Sequence, residues 1–414
     1  MDYRVILLLI LEGAFALWLL YRAGLMKKPA YASAAVILVI LAFGARFAVL
    51  DYQTLDYQDF LSRWVDYFRR SGGFRALREQ VGNYNIPYLY FLALFSYSSI
   101  SDLYLIKLLS IFFDIILAWA SMLLLGRYTQ SPARRMGLFF TVLFLPTVFL
   151  NGSLWAQCDS IYVALAVLAI YLALDDRPIL SVLFFTLSFG FKLQTVFLLP
   201  VMAVLWLKGK YKLWHFLLFP VFYVLLVLPA VALGKPFLET LTLYASQTGS
   251  IGDGLNYNSP SVYAFFQYDP SVTDLAAASR VGIIAAFVFM GAILAVCAIK
   301  RRSITNGVIV AAAVLFAVGI PFLLPHMHDR YFFAADVLTV VMAYAYVKYA
   351  AAAPLTQFAS LLGYHAYLKM RYLLLMDHGA RALIVVLMLG IVLFAQLLSA
   401  NGDTGAAGMH TDAE

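Results

Sequence analysis

Leu103 to Leu125 reads LYLIKLLSIFFDIILAWASMLLL, interrupted by charge only at Lys107 and Asp114. A helix needs roughly 20 mostly apolar residues to cross about 30 Å of hydrocarbon, so this run predicts a membrane span. Working outward, comparable runs lie near 4–21, 31–50, 137–152, 154–174, 178–191, 193–207, 213–233, 277–299, 304–324, 331–349 and 382–399, giving about twelve spans. Composition agrees: the 414 residues are 64% hydrophobic and 12% charged, whereas soluble chains carry about a quarter charged residues. The chain therefore reads as an all-α polytopic membrane protein with one transmembrane domain over 1–400 and a polar, acidic tail over 401–414.

Lys and Arg orient the spans, because cytoplasmic loops retain them. One alternating set of connections holds Arg22, Lys27 and Lys28; Arg127, Arg134 and Arg135; Arg177; Lys208, Lys210 and Lys212; Lys300, Arg301 and Arg302; and Lys348, Lys369, Arg371 and Arg381. This set is assigned to the cytoplasm. It also absorbs the net charge of +7, so nucleic acid is not an expected partner. The other set comprises two long loops, about 51–102 and 234–276, and a short one at Pro325 to Arg330, all facing outside or the periplasm. Cys158 and Cys297 fall toward opposite faces and predict no disulfide.

Within the first long loop, Asp56 to Arg70 reads as an amphipathic helix lying on the membrane. Phe60, Leu61, Trp64, Val65 and Phe68 form one side, and Asp59, Ser62, Arg63, Asp66 and Arg69 the other. Ile86 to Ser99 is apolar, yet counting it as a span would invert every later loop, so it is expected to be a short re-entrant or surface helix. Leu355 to Asp377 is expected to be an interfacial cytoplasmic helix. Glu12 lies in the first span without an evident partner.

Polar residues gather at the outer ends of the spans. Asp56 and Asp59 open the first outer loop, Asn83, Tyr84 and Asn85 precede the re-entrant stretch, and Asn151 to Asp159 (NGSLWAQCD) starts a descending span. Lys192 and Gln194 top another, Asn256 to Asn258 lie in the second long loop, and Pro325 to Phe333 (PHMHDRYFF) leads into a third. Descending helices present free N–H groups and a positive dipole end outward, and Lys192, His326, His328 and Arg330 add cationic groups or donors there. The expected constellation is an anion site at the outer membrane boundary beside a carboxylate. An isoprenoid phosphate, with its tail in lipid, fits such a depth.

These residues resemble the GT-C glycosyltransferases, and among them bacterial relatives of the GPI-anchor mannosyltransferases and the dolichyl-phosphate-sugar glucosyltransferases. The resemblance covers about residues 50–340. It rests on Asp56, Tyr57 and Trp64, then Tyr84 and Pro87, Asp114, the Gln157–Tyr162 run, Phe191 to Gln194, and the His326–Arg330 box, in that order. It implies an inverting transfer of a hexose, with mannose the first guess, from a polyprenyl-phosphate sugar to a glycan, lipid or protein acceptor. The reaction would run at the extracytoplasmic face of the bacterial plasma membrane, without metal or other cofactor. By the same resemblance Asp56 is the general base, with Asp59 the second candidate, and His326, His328, Arg330 and Lys192 contact the donor phosphate. Tyr84, Asn85, Gln157, Asp159, Gln194 and Asn256 are expected to line the site.

Plainer readings stand beside these. Asp56 and Asp59 could cap a helix or pair with nearby arginines, and Lys192 could snorkel to the interface. Asp114, Gln157 and Asp159 could be interhelical glue, and the two histidines could be metal ligands lacking a third. The main functional rival is a transporter or flippase of lipid-linked sugars, which would favour related halves and a polar site at mid-membrane.

Overall fold

A computed structural model describes residues 2–247, 254–266 and 274–400. The proposed acidic tail lies outside them. The described chain is helical apart from two two-residue strands, β1 (Asn256–Tyr257) and β2 (Met327–His328).

Among the described residues, seven helices are long and apolar enough to cross a membrane: Tyr3–Arg22, Pro29–Phe47, Asp102–Leu125, Leu213–Ala232, Leu275–Ile299, Asn306–Leu323 and Met376–Ala400. Pro132–Phe144 and Pro146–Leu154 add an eighth if that pair, bent by 46°, is one span. This makes the chain an integral membrane protein by length and composition. Four of the expected twelve runs instead form shorter helices: Asp159–Leu174, Pro178–Phe191, Leu193–Leu207 and Phe333–Ala345. Pro146, Pro178 and Pro200 start new helical segments, since proline removes a donor and clashes with the preceding turn. Asp159–Leu174 is buried almost throughout, so protein rather than lipid surrounds it.

The chain divides into two compact units. Unit 1 is Met1–Tyr171, Ile179–Thr195 and Phe216–Ile251; unit 2 is Leu172–Pro178, Val196–His215 and Gly252–Glu414.

In unit 1 the expected surface helix begins with a wider turn at Tyr57–Leu61 and continues as Ser62–Arg70. Much of its apolar side packs on protein. Leu61, Val65 and Phe68 are buried in a cluster with Leu77, Tyr88, Leu89 and Leu92, while Phe60 points outward. The re-entrant stretch is the ten-residue helix Ile86–Phe95, embedded in that cluster. Gly82, at φ +63°, lets the Trp64 indole lie against the backbone; a Cβ there would come within 2.2 Å of the ring. Arg46 and Asp114 form a buried ion pair at 2.9 Å, which Ser160 extends by donating to Asp114 at 2.5 Å.

Unit 2 corrects the topology of 350–381. Ala352–Lys369, expected to lie along an interface, carries the chain from one end of the unit to the other, and Met376–Ala400 returns it. At one end, Tyr349 donates to Gln396 at 2.6 Å and Gly307 abuts Tyr346 and Leu397. At the opposite end, Tyr372 donates to Asn258 at 2.6 Å, Gly379 abuts Pro260, and Gly363 lies against the carbonyls of Asn258 and Asp329. Lys369, Arg371 and Arg381 therefore belong to the end bearing β1 and β2, not to that of Lys348. Ala352–Lys369 escapes a hydropathy reading because it buries Thr356, Gln357 and Ser360 among helices, with Ser360 donating to Asp336 at 2.9 Å.

Candidate functional site

In unit 1 the helix ending at Phe144 breaks at Pro146 and re-forms with a wide turn over Leu150–Leu154. The chain then runs non-helically through Trp155, Ala156, Gln157 and Cys158 before the helix that starts at Asp159. Ala156 sits at φ 65°, a left-handed conformation that costs roughly 1–2 kcal/mol outside glycine. Its neighbours hold it there. Gln157 N–H donates to the Asn151 carbonyl at 2.9 Å, Thr54 to the Trp155 carbonyl at 3.1 Å, and Ser110 to the Gln157 carbonyl at 2.7 Å.

The turn delivers two side-chain donors to one oxygen. The Trp155 indole Nε1 and the Gln157 Nε2 each donate to Oδ2 of half-buried Asp56 at 2.9 Å. The Gln157 side-chain oxygen Oε1 in turn accepts from the Tyr84 hydroxyl at 3.2 Å. Tyr84 packs edge-on to Trp64 at 5.6 Å and against Tyr88 at 4.7 Å, so the carboxylate has an aromatic wall nearby. Asp56 makes no side-chain helix cap.

The loop carrying Asp56 is fixed from below by Asp102–Leu125. Buried Lys107 donates to the carbonyls of Val49, Leu50 and Tyr52 at 2.7–3.0 Å, Tyr104 donates to Asp51, and Tyr57 donates to Asp102 at 3.0 Å. Burial, reinforced by the Asp102 carboxylate, pushes the Tyr57 phenol up to about 12. One helix thus holds both the Asp56 loop and, through Ser110, the segment that supplies its donors.

Other expected site residues of unit 1 have partners of their own. Asp59 is exposed and pairs with Arg63 at 3.0 Å, the surface pairing anticipated as its plainer reading. Lys192 is buried in an ion pair with Asp159, whose second oxygen accepts from Asn151 at 2.7 Å; its ammonium lies 5.8 Å from the Tyr84 ring centroid. Asn85 caps Ile86–Phe95, accepting from Ile86 N–H at 2.8 Å and donating to Tyr223 at 2.9 Å. Gln194 lies in the turn Leu193–Phe197, its Oε1 buried without a hydrogen-bond partner among the described residues.

The His-x-His box lies in unit 2, where β1 and β2 pair in parallel. His326, at φ 61°, is engaged on both ring nitrogens: Nδ1 meets the Gly254 carbonyl at 2.7 Å and Nε2 the Ser279 hydroxyl at 3.0 Å. A carbonyl only accepts, so Nδ1 carries a proton and, in the neutral tautomer, Nε2 accepts from Ser279. His326 is a latch for its loop. His328 stacks on Tyr257 at 4.8 Å and leans on Tyr331 at 5.2 Å. Arg330 has its guanidinium 3.7 Å from buried Asp329. Asn256 closes a local turn with Ser259, accepting from its N–H and donating to its carbonyl at 2.8 and 2.9 Å.

Sequence reasoning missed Trp155, although it lies two residues from Gln157 in a quoted run. It gave no role to Lys107 or Arg46, charges standing inside otherwise apolar helices; that isolation was the available signal. No protein-family model matches the chain, and a search of curated proteins likewise finds no match.

Proposed function

We propose that the protein is a membrane glycosyltransferase of the GT-C kind that moves a hexose, taken here as mannose, from a polyprenyl-phosphate sugar to an acceptor hydroxyl at the extracytoplasmic face. The observation that carries this reading is the paired donation of Trp155 and Gln157 to Asp56 at 2.9 Å. Such donors fix the orientation of a carboxylate, as a general base needs if it is to meet an acceptor hydroxyl. In the proposed step Asp56 takes the proton of the acceptor hydroxyl as its oxygen attacks C1. The C1–O bond to phosphate breaks with inversion, and the phosphate monoester leaves with the electron pair. A phosphate leaves readily, so one carboxylate suffices where inverting glycosidases need two. Arg330, with His328 beside it in sequence, is assigned to the charge gained by the leaving phosphate.

A transporter of lipid-linked sugars is the second reading, favoured by the buried Arg46–Asp114 pair within the helices. The deciding experiment offers purified protein a set of radiolabelled polyprenyl-phosphate sugars in liposomes. Sugar transfer or donor hydrolysis supports the transferase; movement of intact donor between leaflets, with neither reaction, supports the transporter.

A further inference from the structure

We propose that the turn Lys369–Leu375 is a membrane-interface anchor whose leucines enter the lipid and whose two basic residues bind the headgroups of anionic phospholipids. The turn joins Ala352–Lys369 to the spanning helix Met376–Ala400, so it stands at one mouth of unit 2. All seven of its residues are exposed, Leu373 and Leu375 to 65% and 69%. Met370, at φ 51°, ends the helix, and the Arg371 carbonyl meets His365 Nδ1 at 3.0 Å, which sets the direction of the turn.

Three observations select lipid as the occupant. First, a run of exposed leucines beside the first turns of a spanning helix lies at bilayer depth, where apolar surface is removed from water. Second, Lys369 and Arg371 precede that run and form no ion pair among the described residues, whereas Arg381 is paired with Asp377 at 2.8 Å. Basic side chains placed beside leucines match an anionic headgroup above acyl chains. Third, the loop rule that retains lysine and arginine at the Lys348 end does not explain these two, because they sit at the opposite end of the unit. The Tyr372–Asn258 hydrogen bond ties the anchor to the strand pair that carries His328. The inference rests on the membrane character of the chain and not on the proposed transferase activity.

The test places an environment-sensitive fluorophore at Leu374→Cys, with buried Cys158 and Cys297 replaced by alanine, in nanodiscs of phosphatidylcholine alone or mixed with phosphatidylglycerol. Emission is expected to be blue-shifted and quenched by lipids carrying a nitroxide high on the acyl chain. Competition quenching is expected to show preference for phosphatidylglycerol, falling roughly fivefold for each charge removed in Lys369→Gln and Arg371→Gln. Water-like emission quenched by aqueous iodide would overturn the proposal. So would blue-shifted emission that lipid nitroxides leave unquenched, which marks a protein partner, or quenching indifferent to headgroup charge and to both substitutions.

Discussion

The indole N–H of Trp155 donates to the carboxylate of Asp56 at 2.9 Å, joining residues 99 positions apart in the chain. Gln157 reaches the same oxygen, so the acid is oriented by two neutral donors from one short non-helical segment.

Removing either donor should slow turnover while the protein stays folded. A hydrogen bond to a charged group contributes about 1.5–3 kcal/mol, so Trp155→Phe and Gln157→Leu should each lower kcat by about tenfold or more if orientation matters in the transition state. Steady-state kinetics, read as kcat against KM, checks this. A rise in KM alone would make the pair binding residues.

Ala156 should tolerate glycine and resist branching. Its left-handed conformation is free of strain for glycine, so Ala156→Gly should match or exceed wild-type stability, and Ala156→Val should destabilise by about 1–3 kcal/mol. Thermal unfolding in detergent compares the two.

Lys192 should prove structural. Breaking a buried ion pair leaves an uncompensated charge, so Lys192→Met should cost about 3–5 kcal/mol, with much of that recovered in Lys192→Met/Asp159→Leu. If Lys192 instead holds the donor, the substitution will raise the donor KM with little change in melting temperature.

Tyr57 supplies a pH dependence. Its phenol is raised from an unfolded value of 10.0 to about 12, so the protonated form is favoured in the fold. The associated stability is fully present below pH 10 and is lost as pH rises through about 12. Unfolding followed between those limits should show a decline that Tyr57→Phe lacks.

Arg330→Ala should weaken use of the donor with little effect on folding. Unchanged donor dependence in initial-rate assays would remove Arg330 from phosphate recognition.

The membrane class was legible because apolar runs such as Leu103–Leu125 are long and interrupted by few charges. Span number was less so. Hydropathy counts apolar residues and does not distinguish lipid from protein as their surroundings, so Asp159–Leu174 read as a full span and Ala352–Lys369 as none. The positive residues at 369–381 misled for a related reason: loop charge orients a chain only once the crossings are counted correctly. At the candidate site, Asp56, Tyr84 and Gln157 were picked out and do share a hydrogen-bonded chain. Asp59, Lys192, Asn85, His326 and Asn256 were chosen by residue type. Lys192 and His326 meet partners far along the chain, in a buried ion pair and a loop contact, whereas Asp59, Asn85 and Asn256 also meet neighbours within four residues, in an exposed salt bridge, a helix cap and a turn.

The most direct test is sugar transfer from radiolabelled polyprenyl-phosphate mannose by wild type and by Asp56→Asn at matched melting temperature. Wild type should transfer or hydrolyse the donor, and the variant should lose about 10²–10⁴-fold, the usual contribution of a positioned general base. Equal rates in the two proteins, or inactivity of wild type toward every polyprenyl-phosphate sugar offered, would contradict the assignment.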